Sequence, residues 1–168
     1  EQISTASKEA SGTSNMKCIS NGAIILGTMD GANVEIADCV GKENMAIFGL
    51  TAEEVIRYQN TGSYSSWHQY HQIPAIKSVV DQLINGFFPA DTNFWDIYNS
   101  LLIDNDPYFI LQDFPTYLTT VNQLSQLYLN QEKWQRCSLM NIANSGFFSS
   151  DRTIKEYANE IWHVAYKK

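Results

Sequence analysis

Apolar residues follow two different spacings along the 168-residue chain, and the change falls near Leu50. Before it, Ala23 to Leu26 and Met45 to Phe48 are short apolar runs, too brief for helices. Between them, Ala32 to Ala37 reads as a helix opened at Asp30 or Gly31 and closed near Gly41. Strand, helix, strand predicts a βαβ piece of a parallel sheet. After Leu50 the apolar positions recur every three or four residues, the helical period. Thr51 with Glu54 spells a capping box and Leu50 against Val55 a hydrophobic staple, predicting a helix to Tyr58. Ser66 with Gln69 opens another, kinked or restarted at Pro74 and running towards Asn85 and Gly86. Phe94 to Ile103 makes a further helix, ended by the polar turn before Pro107. Phe114, Tyr117, Leu118, Val121, Leu124, Ser125 and Tyr128 trace one face of a longer one, and Trp134 to Ala143 follows, stopped by Ser145 and Gly146. The last helix begins after Ser149 or Ser150 and is expected to bury Ile154, Tyr157, Ala158, Ile161 and Trp162. These stripes read as core, because periodic apolar positions are how helices dock.

Composition narrows the function classes. The chain is 44% apolar, enough for one domain with a real core, and its net charge of -7 argues against a polyanionic partner such as nucleic acid. No apolar run approaches a membrane span. Cys18, Cys39 and Cys137 are odd in number, far apart and without CxxC spacing, so neither a disulfide framework nor a zinc site is indicated and reduced thiols are expected. His68 and His71 share a helical face but lack a third metal ligand nearby; with His163 they read as ordinary polar positions. There is no internal repeat or low-complexity linker, and weak boundaries lie at 60–66 and 88–93.

One segment carries chemistry. KEASGTSNMK, from Lys8 to Lys17, joins a small hydroxyl-rich turn to a helix expected to start near Gly12 or Thr13. The first N–H groups of a helix have no intrahelical acceptor and point outward where the macrodipole is positive, so a phosphate binds there without any arginine. Thr13 and Lys17 are four apart, on one face and about 6 Å along the axis. Anion and amine therefore converge on one ligand. A lysine in the first turn would also sit at the unfavourable end of the dipole, which helps to supply the neutral amine that condenses with an aldehyde. Pyridoxal phosphate carries an aldehyde and a phosphate on one ring and fits both halves.

EQISTASKEASGTSNMK followed by NGAIILGTMDGANVEIA, from Glu1 to Ala37, resembles the cofactor-lysine segment of the glycogen, starch and maltodextrin phosphorylases. The likeness continues through IFGL (Ile47 to Leu50), NGFF (Asn85 to Phe88) and FFSSDRTIKEYANEIW (Phe147 to Trp162), in order and over nearly the whole chain. The resemblance implies a retaining transfer in which inorganic phosphate cleaves the terminal α-1,4 bond of a glucan and releases glucose 1-phosphate. It implies pyridoxal phosphate tethered by Lys17, which makes Lys17 the catalytic position, with the cofactor phosphate on Gly12, Thr13 and Ser14. It further places Glu9, Ser11 and Gly12 on the hydroxyls of the reacting glucose. The implied architecture is α/β: the C-terminal part of a Rossmann-like domain of a GT-B type glycosyltransferase, mostly helical after residue 50. Residues 1–50 would hold the cofactor-lysine loop and the βαβ piece, and 51–168 the helical remainder of the same domain, whose last helix crosses to the other domain. A cytoplasmic, homodimeric full-length enzyme acting on glucan and phosphate is implied, with no metal, nucleic acid or membrane among its partners.

Two positions depart from the family pattern, which has glycine where this chain has Ser7 and Ser14. If either needs positive φ, the serine is strained. Two rival readings come from other classes. Ser14, Asn15, Met16 and Lys17 spell SxxK, a serine acyl-enzyme motif, although no SDN or KTG follows. A non-catalytic helical interaction module carrying a dead cofactor loop is the other. The chain opens in mid-pattern without methionine, so a fragment is expected. The family's phosphate-gripping basic residues and glucose-facing histidine have no counterpart in it, and it should be inactive and associate through exposed apolar surface when isolated.

Overall fold

The computed structural model describes residues 1–8, 11–89 and 91–164. Its sheet is small and parallel: β1 (Leu26–Gly27) pairs with β2 (Ala46–Ile47), Leu26 opposite Ala46 and Gly27 opposite Ile47. Both strands are shorter than the apolar runs that predicted them. At the first run the reason is local, because Ala23 N–H still donates to Cys18 O at 3.0 Å and so belongs to the turn closing the preceding helix. The sequence pattern also missed a neighbour on the other side of β1, where Gln2 bridges Gly27 in parallel and donates its N–H to Leu26 O at 2.8 Å. Gly27 is thus enclosed. A Cβ there would come within 2.7 Å of Asn33 Nδ2 and 3.1 Å of Gln2 O.

Three helices lie on one face of this sheet. They are α1 (Thr13–Ser20), α2 (Ala32–Val40), which makes the crossover between the strands, and α8 (Gln131–Asn144). Ile19, Ile25, Ala32, Ile36, Ala37, Val40 and Met45 form the core there, with Met16 and Phe148 packed on it. Asn141 of α8, wholly buried, donates to Ala23 O and Asn44 O and ties the helix to both ends of the crossover. On the opposite face α7 (Ile110–Leu129) lays Tyr117, Val121 and Leu124 against Leu26, Ala46 and Phe48.

The remaining helices build two further cores. The capping box of α3 (Ala52–Thr61) is present, with Glu54 N–H on Thr51 Oγ1 and Thr51 N–H on Glu54 Oε2, and Leu50 packs in the cluster that holds Val55. α4 (Ser66–Gln72) is capped by Ser65 rather than Ser66, because Ser66 is buried and its N–H donates to Asn105 Oδ1. α5 (Pro74–Gln82) restarts at Pro74, and α6 (Trp95–Tyr98) runs into a π-helical turn at Asn99–Ile103. α7 starts four residues before the predicted Phe114. The cause is tertiary: the buried Asp106 carboxylate accepts Leu111 N–H at 2.7 Å and Tyr64 O–H at 2.8 Å, holding the first turn from outside the helix.

The final helix corrects its expectation. α9 (Ser150–Glu156) continues as a π-helical turn, Tyr157–Ile161, and of the five residues expected to be buried only Ala158 is. Ile154, Tyr157, Ile161 and Trp162 are exposed, and the Tyr157 and Trp162 rings meet edge to face at 5.8 Å.

Candidate functional site

α1 carries the candidate site, and its start is shaped by Gly12. This residue caps the helix at φ +63° and ψ +30°, a left-handed conformation that disfavours any Cβ. A Cβ there would also lie 3.1 Å from Ala32 Cβ, so glycine lets the ends of α1 and α2 close on each other. No side chain caps the helix. Asn15 N–H closes onto Gly12 O at 3.0 Å, while the N–H groups of Thr13 and Ser14 meet no acceptor among the described residues. Ser11 Oγ and Thr13 Oγ1 lie 3.3 Å apart, and Ser11, Thr13, Ser14 and Lys17 are all exposed. Two N–H donors without an acceptor among the described residues, three hydroxyls and a lysine one turn on thus open to solvent together.

Lys17 itself requires a correction. It is the fifth of eight residues and falls in the last turn of α1, not the first. The macrodipole there is negative, the opposite end from the one the spacing suggested. The anion end is unaffected. The two departures from the family glycines also separate: Ser7 sits at φ +73°, in the strained region, whereas Ser14 is helical. Glu9 lies outside the described residues. Ser14 and Lys17 share no hydrogen bond, which leaves the SxxK nucleophile without its base.

Behind α1 is a set of buried amides that the sequence reading missed. Asn15 Nδ2 donates to Asn33 Oδ1 at 2.7 Å, and Asn33 Nδ2 donates to Gln2 Oε1 at 2.6 Å and Thr28 O at 2.8 Å. The available signal was Asn33 standing at the first position of the apolar series 33, 36, 37, 40 of α2. In front of the site, Lys8 N–H donates to Asp30 Oδ2 at 2.8 Å and ties the incoming loop to the turn before α2. An open groove of about 410 Å³ borders Ser11, lined also by Met16, Gly31, Ala32, Phe147 and Arg152.

With this geometry in hand, the relatives are informative. A family model described as carbohydrate phosphorylase matches residues 1–164. A glycogen phosphorylase of Bacillus subtilis is 52% identical over 98% of this chain and 21% of its own length. The liver form of glycogen phosphorylase of Homo sapiens is 49% identical over 98% of the chain and 19% of its length, and a glycogen phosphorylase of Synechocystis is 47% identical over the same shares. The chain spans about a fifth of the length of these curated relatives. It belongs to the carbohydrate phosphorylase family.

Proposed function

We propose, from this membership, that the chain is the cofactor-bearing part of an α-1,4-glucan phosphorylase in which inorganic phosphate releases glucose 1-phosphate from the glucan end. Lys17 holds pyridoxal phosphate through its amine, and the N–H groups of Thr13 and Ser14, beside Gly12, hold the phosphate arm. The residues fit the group: the N–H groups of Thr13 and Ser14 lie about one helical turn from an exposed amine on the same helix, matching a ligand that carries an aldehyde and a short phosphate arm on neighbouring carbons of one ring. Glu9, Ser11 and Gly12 take the hydroxyls of the reacting glucose. When bound, the cofactor supplies a phosphate that exchanges a proton or charge with the substrate phosphate; the chain's own part is to fix that phosphate on a helix N-terminus.

The same reading makes residues 1–50 the loop and βαβ piece, and 51–168 the helical part, of one Rossmann-like domain of a GT-B enzyme. The remainder of the phosphorylase chain is then the principal partner, with glucan and phosphate as substrates, in a cytoplasmic homodimer. Exposed Ile3, Trp95, Ile110 and Leu129 support this, since large apolar side chains left open to water invite a covering surface. The segment alone has no turnover, because the groups that grip substrate phosphate are not in it.

The observation that carries the proposal is the pair of N–H groups, without an acceptor among the described residues, that share a helix face with Lys17. Borohydride treatment of the full-length protein with pyridoxal phosphate, followed by peptide mapping, should place the label on Lys17, and Lys17→Ala should abolish both label and phosphorolysis. Label on another lysine, or full cofactor content in Lys17→Ala, overturns it.

A further inference from the structure

Asn33, the second residue of the Ala32–Val40 crossover helix, is 1% exposed on its buried face, where an apolar side chain is the default. Its orientation is settled by chemistry: Thr28 O accepts only, so the nitrogen faces it, and the oxygen must then take the Asn15 donor. Both N–H groups of the amide and one lone pair of its oxygen are used, at 2.6, 2.8 and 2.7 Å, by three separate segments: Gln2 beside the sheet, Thr28 at the end of β1, and Asn15 inside α1. Asn15 is itself buried, two residues before Lys17 and hence on the reverse side of the helix. The amide pair therefore sets both the height of α1 along its axis and its rotation about that axis. Apolar contacts such as Ile19 against Ile36 hold the helix close, but they are non-directional and tolerate sliding.

We infer that Asn33, acting through Asn15, is a positioning residue for the cofactor site: it fixes α1 so that the Thr13 and Ser14 N–H groups and the Lys17 amine address one ligand at once. This rests on the reading that Lys17 carries pyridoxal phosphate. Without the pair, the two ends of the ligand would be held by a helix free to shift, and one attachment would be strained whenever the other is made. The helix would remain folded, because its own hydrogen bonds and the Ile19 contacts persist.

The test uses the full-length holoenzyme. Asn33→Ala and Asn15→Ala each remove the shared hydrogen bond; Ile76→Ala, in the separate core of Tyr70, Val80, Leu102 and Leu111, is the control for a general loss of stability. The readout is the rate at which pyridoxal phosphate leaves the protein, followed by its absorbance, beside the thermal midpoint of the protein stripped of it. Release from both asparagine variants should be about tenfold faster than from Ile76→Ala, and the double asparagine variant should add little to either single one. Release no faster than in Ile76→Ala, at equal or lower thermal midpoint, overturns the inference. Should Asn33→Ala fail to fold, the milder Asn15→Ala decides alone. Absence of any borohydride label on Lys17 in the unaltered protein overturns the cofactor reading itself, whereas a label with unchanged release overturns only the role of Asn33.

Discussion

Asp113 gives the sharpest quantitative test of the packing. Its Oδ1 accepts Leu50 N–H at 2.8 Å, joining α7 to the loop that leaves β2, and the side chain is 8% exposed against Gly49. Burial pushes its carboxyl up from 3.8 to about 6; the Leu50 N–H opposes this, and the Asp106 and Glu54 charges add to it. Since the folded state holds the proton more tightly than the unfolded chain, the contribution to stability is fully present below about pH 4 and is lost as pH rises through 6. A shift of about two pH units corresponds to roughly 3 kcal/mol as a ceiling, and water at the rim of the site lowers it to about 1–2 kcal/mol. Asp113→Asn keeps an oxygen for Leu50 N–H and removes the charge. Hydrogen exchange of residues 46–52 and 110–117 in the full-length protein, corrected for intrinsic rates and followed from pH 4 to 8, reads the local opening. The unaltered protein should lose about 1–2 kcal/mol of protection relative to the variant across that window. Parallel profiles for the two proteins would refute the argument.

Gly12→Ala places a Cβ at φ +63° and 3.1 Å from Ala32 Cβ, so a loss of about 1–2 kcal/mol and weaker pyridoxal phosphate binding are expected in thermal unfolding and cofactor titration. An alanine variant matching the parent in both would show that the helix start is not constrained as described. Tyr64→Phe removes the O–H that donates to Asp106, whose Oδ1 already lacks a partner, and should cost about 1–3 kcal/mol. The Tyr64 hydroxyl is held well above its ordinary pKa, by burial first and then by Asp106, so this cost should stay constant from pH 6 to 9; a loss that varies over that range would contradict the assignment.

Much of the fold was legible because its signals are local. The Thr51 and Glu54 box, the restart at Pro74 and the glycines bounding α2 each depend on a few neighbouring residues, and each stands where the pattern put it. Where the pattern failed, groups outside the segment itself mostly decided. Asp106, held in turn by Tyr64, starts α7 early, Asn105 draws Ser66 inward and moves the cap of α4 to Ser65, and most of the apolar face of α9 is exposed among the described residues. At the site, the position of Lys17 four residues beyond Thr13 could be counted from the sequence, but its place in the last turn depended on α1 closing after Ser20, where Asn21 caps it.

By itself the sequence determined the period of each element, the glycine at the start of the Lys17 helix and the family, because these are written in spacing and residue identity. Only the tertiary structure decided that Asn33 faces Asn15, that Gln2 lines the second side of β1, and that Ser7 rather than Ser14 bears the positive φ. Hydrogen bonds between residues 18 positions apart, as Asn15 and Asn33, or 24 apart, as Gln2 and Leu26, need both partners brought together in space, and no periodicity within one segment records which group will meet which.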